Sequence, residues 1–191
     1  MKKLLVVDAC ISAGESRTRV LLDAFLEACN GFEVQTINLK NNAVCAFDKD
    51  MLLKRNADIA ADNFDGEEYN LAKAVKSADV IVLAAPYWDL SFPTVVKAFI
   101  EHIMVTNLTF GYTETGVRGL CGATEFVYIT TAGGFIGRPN FGFDYLAAIF
   151  KMLGIKKAHC ISAEGLDIAG FDVGGAMAKT CEEVKKAADE L

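Results

Sequence analysis

The sequence predicts an α/β fold, a doubly wound five-stranded parallel sheet with helices on both faces. Five short apolar runs alternate with stretches that carry apolar residues at helical spacing. Residues 80–85 are apolar on both faces and rich in β-branched side chains, as in a strand that helices cover on both sides. The 191 residues show no repeat and no linker, so we expect a single domain over residues 1–191.

The first two predicted strands flank the first helix. Residues 4–7 are an apolar run that predicts the first strand. The amphipathic stretch 20–29 predicts a helix, and Asn30-Gly31 is a typical helix end. Phe32–Asn38 alternates apolar and polar residues, which predicts a half-buried second strand.

The middle of the chain predicts the third strand between two helices. Residues 39–65 are mixed, with short helical pieces around residues 50–61 and boundaries that the pattern leaves open. Leu71, Val75 and Ala78 predict a helix that leads to the third strand at residues 80–85, which Pro86 ends. The buried face of the next helix is marked by Val96, Phe99, Ile100 and Ile103.

The last part of the chain predicts a hairpin, two strands and two helices. Residues 109–112 and 117–120 flank residues 113–116 as a hairpin or lid. Residues 126–130 and 158–163 predict the fourth and fifth strands, with a helix at residues 143–153 between them. The face of the last helix is marked by Val173, Met177, Cys181, Val184 and Ala188.

Charge and apolar patterning narrow the class of protein. A net charge of −6 disfavours a nucleic-acid partner, which needs a basic face. No apolar run approaches the length of a membrane span, and Asp8 interrupts the first run too early for a secretion signal. We therefore expect a cytoplasmic enzyme that binds neither nucleic acid nor membrane.

The potential metal ligands show no ligand spacing, so we expect no metal site. The six cysteines contain no Cys-x-x-Cys pair and predict reduced, buried thiols. We expect His102 on a helix surface and His159 in a structural role. Glu101 and Asp167 are expected to be solvated.

The loop after the first strand, residues 8–19, predicts a phosphate site. It carries Ser16 and Thr18 to the start of a helix, where unpaired N–H groups and the helix dipole attract an anion. The alternative is that either hydroxyl only caps the helix. The loop has neither the Gly-x-Gly-x-x-Gly of dinucleotide sites nor the Gly-Lys-Ser/Thr of a P-loop.

The loops after the third and fourth strands complete a mononucleotide site. Tyr87 and Trp88 offer flat surfaces for a ring, with core or interface packing as the alternative. Gly133-Gly134 lets backbone N–H groups approach a planar heterocycle, with a plain turn as the alternative. Three such loops at one edge of the sheet indicate a mononucleotide such as FMN.

Five segments carry a resemblance to a known family. The chain resembles the FMN-dependent NADH-azoreductases and NAD(P)H:quinone oxidoreductases, which have the flavodoxin-like fold. The resemblance covers nearly the whole chain and is weakest over residues 39–65. It is carried by residues 13–18, 85–90, 108–116, 131–134 and 163–165.

The resemblance implies the site residues. FMN would be bound by Cys10, Ser12, Ser16, Arg17, Thr18, Pro86, Tyr87, Trp88, Asp89, Leu90, Thr131, Ala132, Gly133 and Gly134. The substrate and lid residues would be Tyr112 and Phe135. Two positions depart from the family pattern, since many relatives carry Ser at position 10 and Asn at position 89. Either Ser12 replaces the missing hydroxyl at position 10, or the Cys10 thiol acts as a weak donor.

The resemblance also implies an activity and an assembly. NADH or NADPH would pass a hydride to the flavin, and a quinone or azo compound would then take the electrons at the same face. The flavin carries the chemistry, so no catalytic side chain is assigned. The family pattern implies a homodimer. The alternatives are a flavodoxin-type electron carrier without enzymatic activity and a flavin-binding redox sensor.

Overall fold

A computed structural model describes residues 1–12, 15–41 and 44–191. Ala13 and Gly14, which belong to the predicted phosphate loop and to the first segment of the resemblance, lie outside the described residues.

The central sheet has the predicted architecture. Its order is β2-β1-β3-β6-β7, and every neighbouring pair is parallel. This order places the loops after β1, β3 and β6 side by side at one edge. The strands are β1 (Lys2–Asp8), β2 (Phe32–Asn38), β3 (Val80–Ala84), β6 (Glu125–Thr131) and β7 (Lys157–Ala163).

Helices cover both faces of this sheet, as predicted. Two of them, α1 and α6, pack on one face, whereas α3, α4 and α5 pack on the other. The helices are α1 (Arg17–Ala28), α2 (Lys49–Ala61), α3 (Asn70–Ser77), α4 (Thr94–Ile103), α5 (Phe143–Met152) and α6 (Val173–Asp189). In the stretch whose boundaries the pattern left open, α2 begins after Asp48, whose side chain accepts a hydrogen bond from the N–H of Met51.

Alternation along the strands builds the two halves of the core. In β1, Leu5 and Val7 contact the layer of α3, α4 and α5, while Leu4 and Val6 contact that of α1 and α6. Both sets are buried. A strand with two buried faces needs an unbroken apolar run, and this is why its sequence shows no alternation.

The predicted hairpin is present as β4 (Phe110–Thr113) and β5 (Gly116–Gly119). Its base lies against the end of α5, where a Cβ on Gly119 would be only 2.1 Å from the carbonyl carbon of Leu153. Only glycine permits this approach, so the hairpin base is fixed on the domain while its tip extends into solvent.

Two expectations need correction. The edge strand β2 pairs only with β1 and is mostly exposed, with Ile37 its one buried residue, so half-burial was too strong a prediction. All six cysteines are free, but Cys45 is exposed and the others are only partly buried.

Within the described ranges, no helix combines the length and the apolar character needed to cross a membrane.

Candidate active site

A cleft of about 240 Å³ opens where the loops after β1, β3 and β6 meet, together with the segment after β7. The parallel order of the sheet brings these strand ends to one edge, as the sequence predicted. The cleft is lined by Ile11, Ser12, Glu15, Ser16, Arg17, Thr18, Pro86, Tyr87, Trp88, Thr131, Gly133 and Asp167.

The first turn of α1 forms one end of the cleft. Ser16 is the N-cap, and its Oγ accepts a hydrogen bond from the N–H of Arg19 at 3.3 Å. The first turn itself contains no acidic residue, which suits the positive end of the helix dipole for an anion. The Ser16 hydroxyl caps the helix as an acceptor and also interacts with the neighbouring Cys10 thiol.

Thr18 connects this turn to β6. Its Oγ1 lies 2.6 Å from the Oγ1 of Thr131, and both side chains are buried. One hydroxyl donates in this contact and the other accepts, so the accepting partner has a hydrogen left for another acceptor. This hydrogen bond joins the side of the cleft formed by α1 to the side formed by the end of β6.

Asp8 shapes the chain as it leaves β1. It is buried, and its carboxylate accepts hydrogen bonds from the N–H of Cys10 at 2.9 Å, Nη1 of Arg19 at 2.7 Å and Nδ2 of Asn38 at 3.0 Å. The ion pair compensates the charge that burial would otherwise make costly. An acidic residue that ends an apolar strand was visible in the sequence, but its role was not.

Cys10 packs beside the cleft and is not among its lining residues. Its Sγ lies 3.9 Å from the carbonyl oxygen of Ala84. Burial, reinforced by the Asp8 carboxylate, raises the pKa of this thiol to about 12, so Cys10 stays protonated at neutral pH. Lys40, which the sequence analysis did not single out, lies nearby and donates from Nζ to the carbonyl oxygen of Ser12 at 3.3 Å.

The loop after β3 makes a tight two-residue turn. The N–H of Trp88 donates to the carbonyl of Ser91 at 3.0 Å, and the N–H of Ser91 returns to Trp88 at 2.8 Å. Asp89 and Leu90 between them have φ values of +51° and +67°. Two successive positive φ values are typical of a type I′ turn, which Asn and Gly adopt far more readily than Leu. The turn leaves Trp88 46% exposed and Leu90 65% exposed.

Tyr87 joins this turn to the neighbouring wall, because its N–H donates to the carbonyl of Thr131 at 2.9 Å. Partial burial, helped by the carboxylates of Glu164 and Asp144, raises the pKa of the phenol. The ring therefore stays neutral at physiological pH, in keeping with a surface against which a flat ligand could stack.

The paired glycines lie beside residues 165–167, to which the sequence analysis gave no binding role, although residue 165 belongs to a segment of the resemblance. The N–H groups of Gly165, Leu166 and Asp167 donate to the carbonyls of Gly134, Ala132 and Gly133 at 3.0, 3.1 and 2.9 Å. A Cβ on Gly133 would lie 2.2 Å from Oδ2 of Asp167. Glycine at position 133 thus makes room for the Asp167 carboxylate.

Arg17 and Asp167 form an ion pair at the cleft. Nη2 of Arg17 lies 2.9 Å from Oδ1 of Asp167, and Nη1 donates to the carbonyl of Leu166 at 2.9 Å. Asp167 is 67% exposed, but it is paired and lines the cleft, so the prediction of a merely solvated side chain was incomplete. Its place just beyond the carboxyl end of a strand was the signal available in the sequence.

The remaining predicted residues lie outside the lining of the cleft. These are Asp89, Leu90, Ala132, Gly134, Tyr112 and Phe135. Tyr112 is 71% exposed on the hairpin, and Phe135 is 68% exposed with its ring edge-to-face against Phe171. Neither histidine lines the cleft: His102 contacts the carbonyl of Cys45 at 3.0 Å and His159 contacts Glu125 at 2.8 Å.

The chain matches a known family over nearly its whole length. Residues 2–188 match the model of the family Flavodoxin_2, described by its flavodoxin-like fold. FMN-dependent NADH:quinone oxidoreductase 2 of Clostridium acetobutylicum is 36% identical over 201 aligned positions, which cover 100% of both chains. FMN-dependent NADH:quinone oxidoreductase 3 of Pseudomonas fluorescens is 32% identical over 97% of this chain and 100% of its own.

Solved structures show the same fold. An FMN-dependent NADH-azoreductase from Bacillus anthracis in complex with FMN has a TM-score of 0.84 and 24% identity, covering 100% of this chain and 99% of that one. An azoreductase from the Sterne strain of Bacillus anthracis has a TM-score of 0.86 at 22% identity and covers 100% of both chains.

Proposed function

We infer the activity of this chain from one premise: it belongs to the flavodoxin-like family Flavodoxin_2 and is related over its full length to FMN-dependent NADH:quinone oxidoreductases. It is an FMN-dependent oxidoreductase that transfers electrons from NADH to quinones or azo compounds. The cleft where three strand ends meet is the observation that carries this conclusion.

The residues present fit FMN. A phosphate suits the start of α1, where Ser16 carries a hydroxyl and the first turn contains no acidic residue of its own. Tyr87 and Trp88 supply aromatic surfaces after β3, and Thr131 and Gly133 line the cleft at the end of β6. We propose that FMN is held by the residues predicted from the sequence, with the Cys10 thiol beside Ser16 at the phosphate end.

Bound FMN supplies the redox chemistry, by accepting a hydride from NADH and passing two electrons to the acceptor. A quinone needs one further proton, which water supplies, so NADH, quinone and a proton give NAD⁺ and quinol. The chain's residues position the reactants. Ser16 and Thr18 bind at the phosphate end, and Trp88 offers an aromatic surface to the ring.

The assembly and its location are further parts of the proposal. Trp88, Leu90, Tyr112, Val117 and Phe135 are exposed apolar side chains, and clustered exposed apolar groups usually mark an interface. We propose that a second copy of the chain covers part of it in a homodimer, with Tyr112 acting as a lid. We propose a cytoplasmic location, which six free cysteines support.

Steady-state oxidation of NADH by a quinone tests the function. The FMN-loaded protein should oxidise NADH with the quinone as acceptor and without any added reductase. An electron carrier would need a separate reductase under the same conditions. Absence of turnover after reconstitution with FMN would contradict the assignment.

A further inference from the structure

We propose that the ion pair between Arg17 and Asp167 sets the reduction potential of the bound flavin, with Asp167 lowering the potential and Arg17 limiting that effect. The inference rests on the proposed function, since it takes FMN to occupy the cleft. It assigns to Asp167 the role of a positioning and tuning residue, acting through its charge and through Arg17.

The Asp167 carboxylate is held beside Gly133 at the cleft. The N–H of Asp167 donates to the carbonyl of Gly133 at 2.9 Å, which holds the backbone of Asp167 beside the paired glycines. Oδ2 then lies 2.2 Å from the place that a Cβ on Gly133 would occupy. The carboxylate thus lies beside Gly133 and lines the same cleft.

Arg17 contacts the segment after β7 through its guanidinium. Its guanidinium makes two hydrogen bonds of 2.9 Å, to the Asp167 carboxylate and to the Leu166 carbonyl. Both lie in the segment after β7, whereas Arg17 is the first residue of α1. The pair therefore joins the start of α1, where a phosphate would bind, to the segment after β7, which lies beside Gly133.

Charged side chains around the cleft act on the charge of the flavin. A flavin gains negative charge in its ring system on reduction, so a nearby carboxylate disfavours the reduced form and a nearby guanidinium favours it. Asp8, the carboxylate at the end of β1, is buried, and its ion pair with Arg19 compensates its charge. Glu15 also lines the cleft and adds negative charge that these variants leave unchanged.

Opposite changes should follow from the two partners. Asp167→Asn keeps the shape of the side chain and removes its charge. It should stabilise reduced FMN relative to oxidised FMN by about three- to tenfold, which a two-electron couple converts to a rise of roughly 15–30 mV. Arg17→Gln leaves the carboxylate uncompensated and should lower the potential by a similar amount. The double variant should return close to the wild-type potential.

Spectroelectrochemical titration of the FMN-loaded wild type and the three variants tests the pair. Asp23→Asn is the matched control, because Asp23 binds Arg19 of the same helix at 2.7 Å with similar exposure and does not line the cleft. Its potential should equal that of the wild type. Opposite shifts for Asp167→Asn and Arg17→Gln support the proposal.

Other outcomes overturn it. Four equal potentials, shifts in one common direction, or an equal shift in Asp23→Asn would each show that the pair does not tune the flavin. These results leave the proposed function standing, provided that the wild type binds FMN and oxidises NADH. A wild-type protein that binds no FMN would instead overturn both the function and the inference.

Discussion

Replacement of Ser16 by alanine separates helix capping from phosphate binding. The capping hydrogen bond is long, at 3.3 Å, so its loss should cost about 0.5–1 kcal/mol, the lower part of the range for N-caps. For a chain of this size, the melting temperature should then fall by about 1–4 °C. A hydrogen bond to a charged phosphate contributes more, about 1.5–3 kcal/mol, or roughly ten- to a hundredfold in affinity.

Fluorescence titration of the apoprotein with FMN and with riboflavin measures the second effect. Ser16→Ala should bind FMN ten- to a hundredfold more weakly and riboflavin almost unchanged, because riboflavin has no phosphate. Asp48→Ala is the matched control. Asp48 caps α2 in the same manner, with a bond of 2.8 Å to the N–H of Met51, and lies outside the cleft lining. This variant should lose stability but not affinity for FMN.

Two results would refute the reasoning. Equal losses for FMN and riboflavin would make Ser16 a helix cap only. A loss of FMN affinity in Asp48→Ala as large as that in Ser16→Ala would mean that a general loosening of the fold, and not the missing hydroxyl, weakens binding.

Four further predictions concern other parts of the chain. Asp89→Asn should raise the flavin midpoint potential by roughly 20–40 mV in a spectroelectrochemical titration, and an unchanged or lower potential would mean that Asp89 does not face the ring. Leu90→Gly should stabilise the fold by about 0.5–1 kcal/mol in urea denaturation, because a positive φ costs a non-glycine residue more than glycine loses in chain entropy; Leu90→Ala should show no such gain. Thr131→Val should destabilise it by about 1–3 kcal/mol by leaving the buried Thr18 hydroxyl unpaired, and a neutral effect would contradict that. Sedimentation at micromolar concentration should show a dimer, and a fully active monomer would refute the proposed assembly.

The sheet and the three loops could be predicted because burial dictates sequence pattern. Strands such as β1 and β3 have two covered faces, and this requires an unbroken apolar run. Once five strands alternate with helices, few topologies remain, and the usual ones bring the same strand ends together. The loop residues Ser16, Tyr87 and Gly133 were therefore located by the fold before any contact was known.

What could not be predicted depends on contacts between residues far apart in the chain. Asp167 and Arg17 are separated by 150 positions, so no local pattern reveals that they pair. The glycine at position 133 indicated close approach, but the sequence did not show that a carboxylate approaches it. The neighbours of Cys10 were equally hidden, because no local pattern shows that its thiol lies beside the carbonyl of Ala84 and the hydroxyl of Ser16.

Anaerobic half-reactions test the central claim most directly. NADH alone, added to the FMN-loaded protein, should bleach the visible absorption of the flavin, and a stoichiometric amount of quinone should then restore it. This result would show that one chain accepts electrons from NADH and delivers them to the acceptor. A flavin that stays oxidised in NADH until a separate reductase is added would contradict the account.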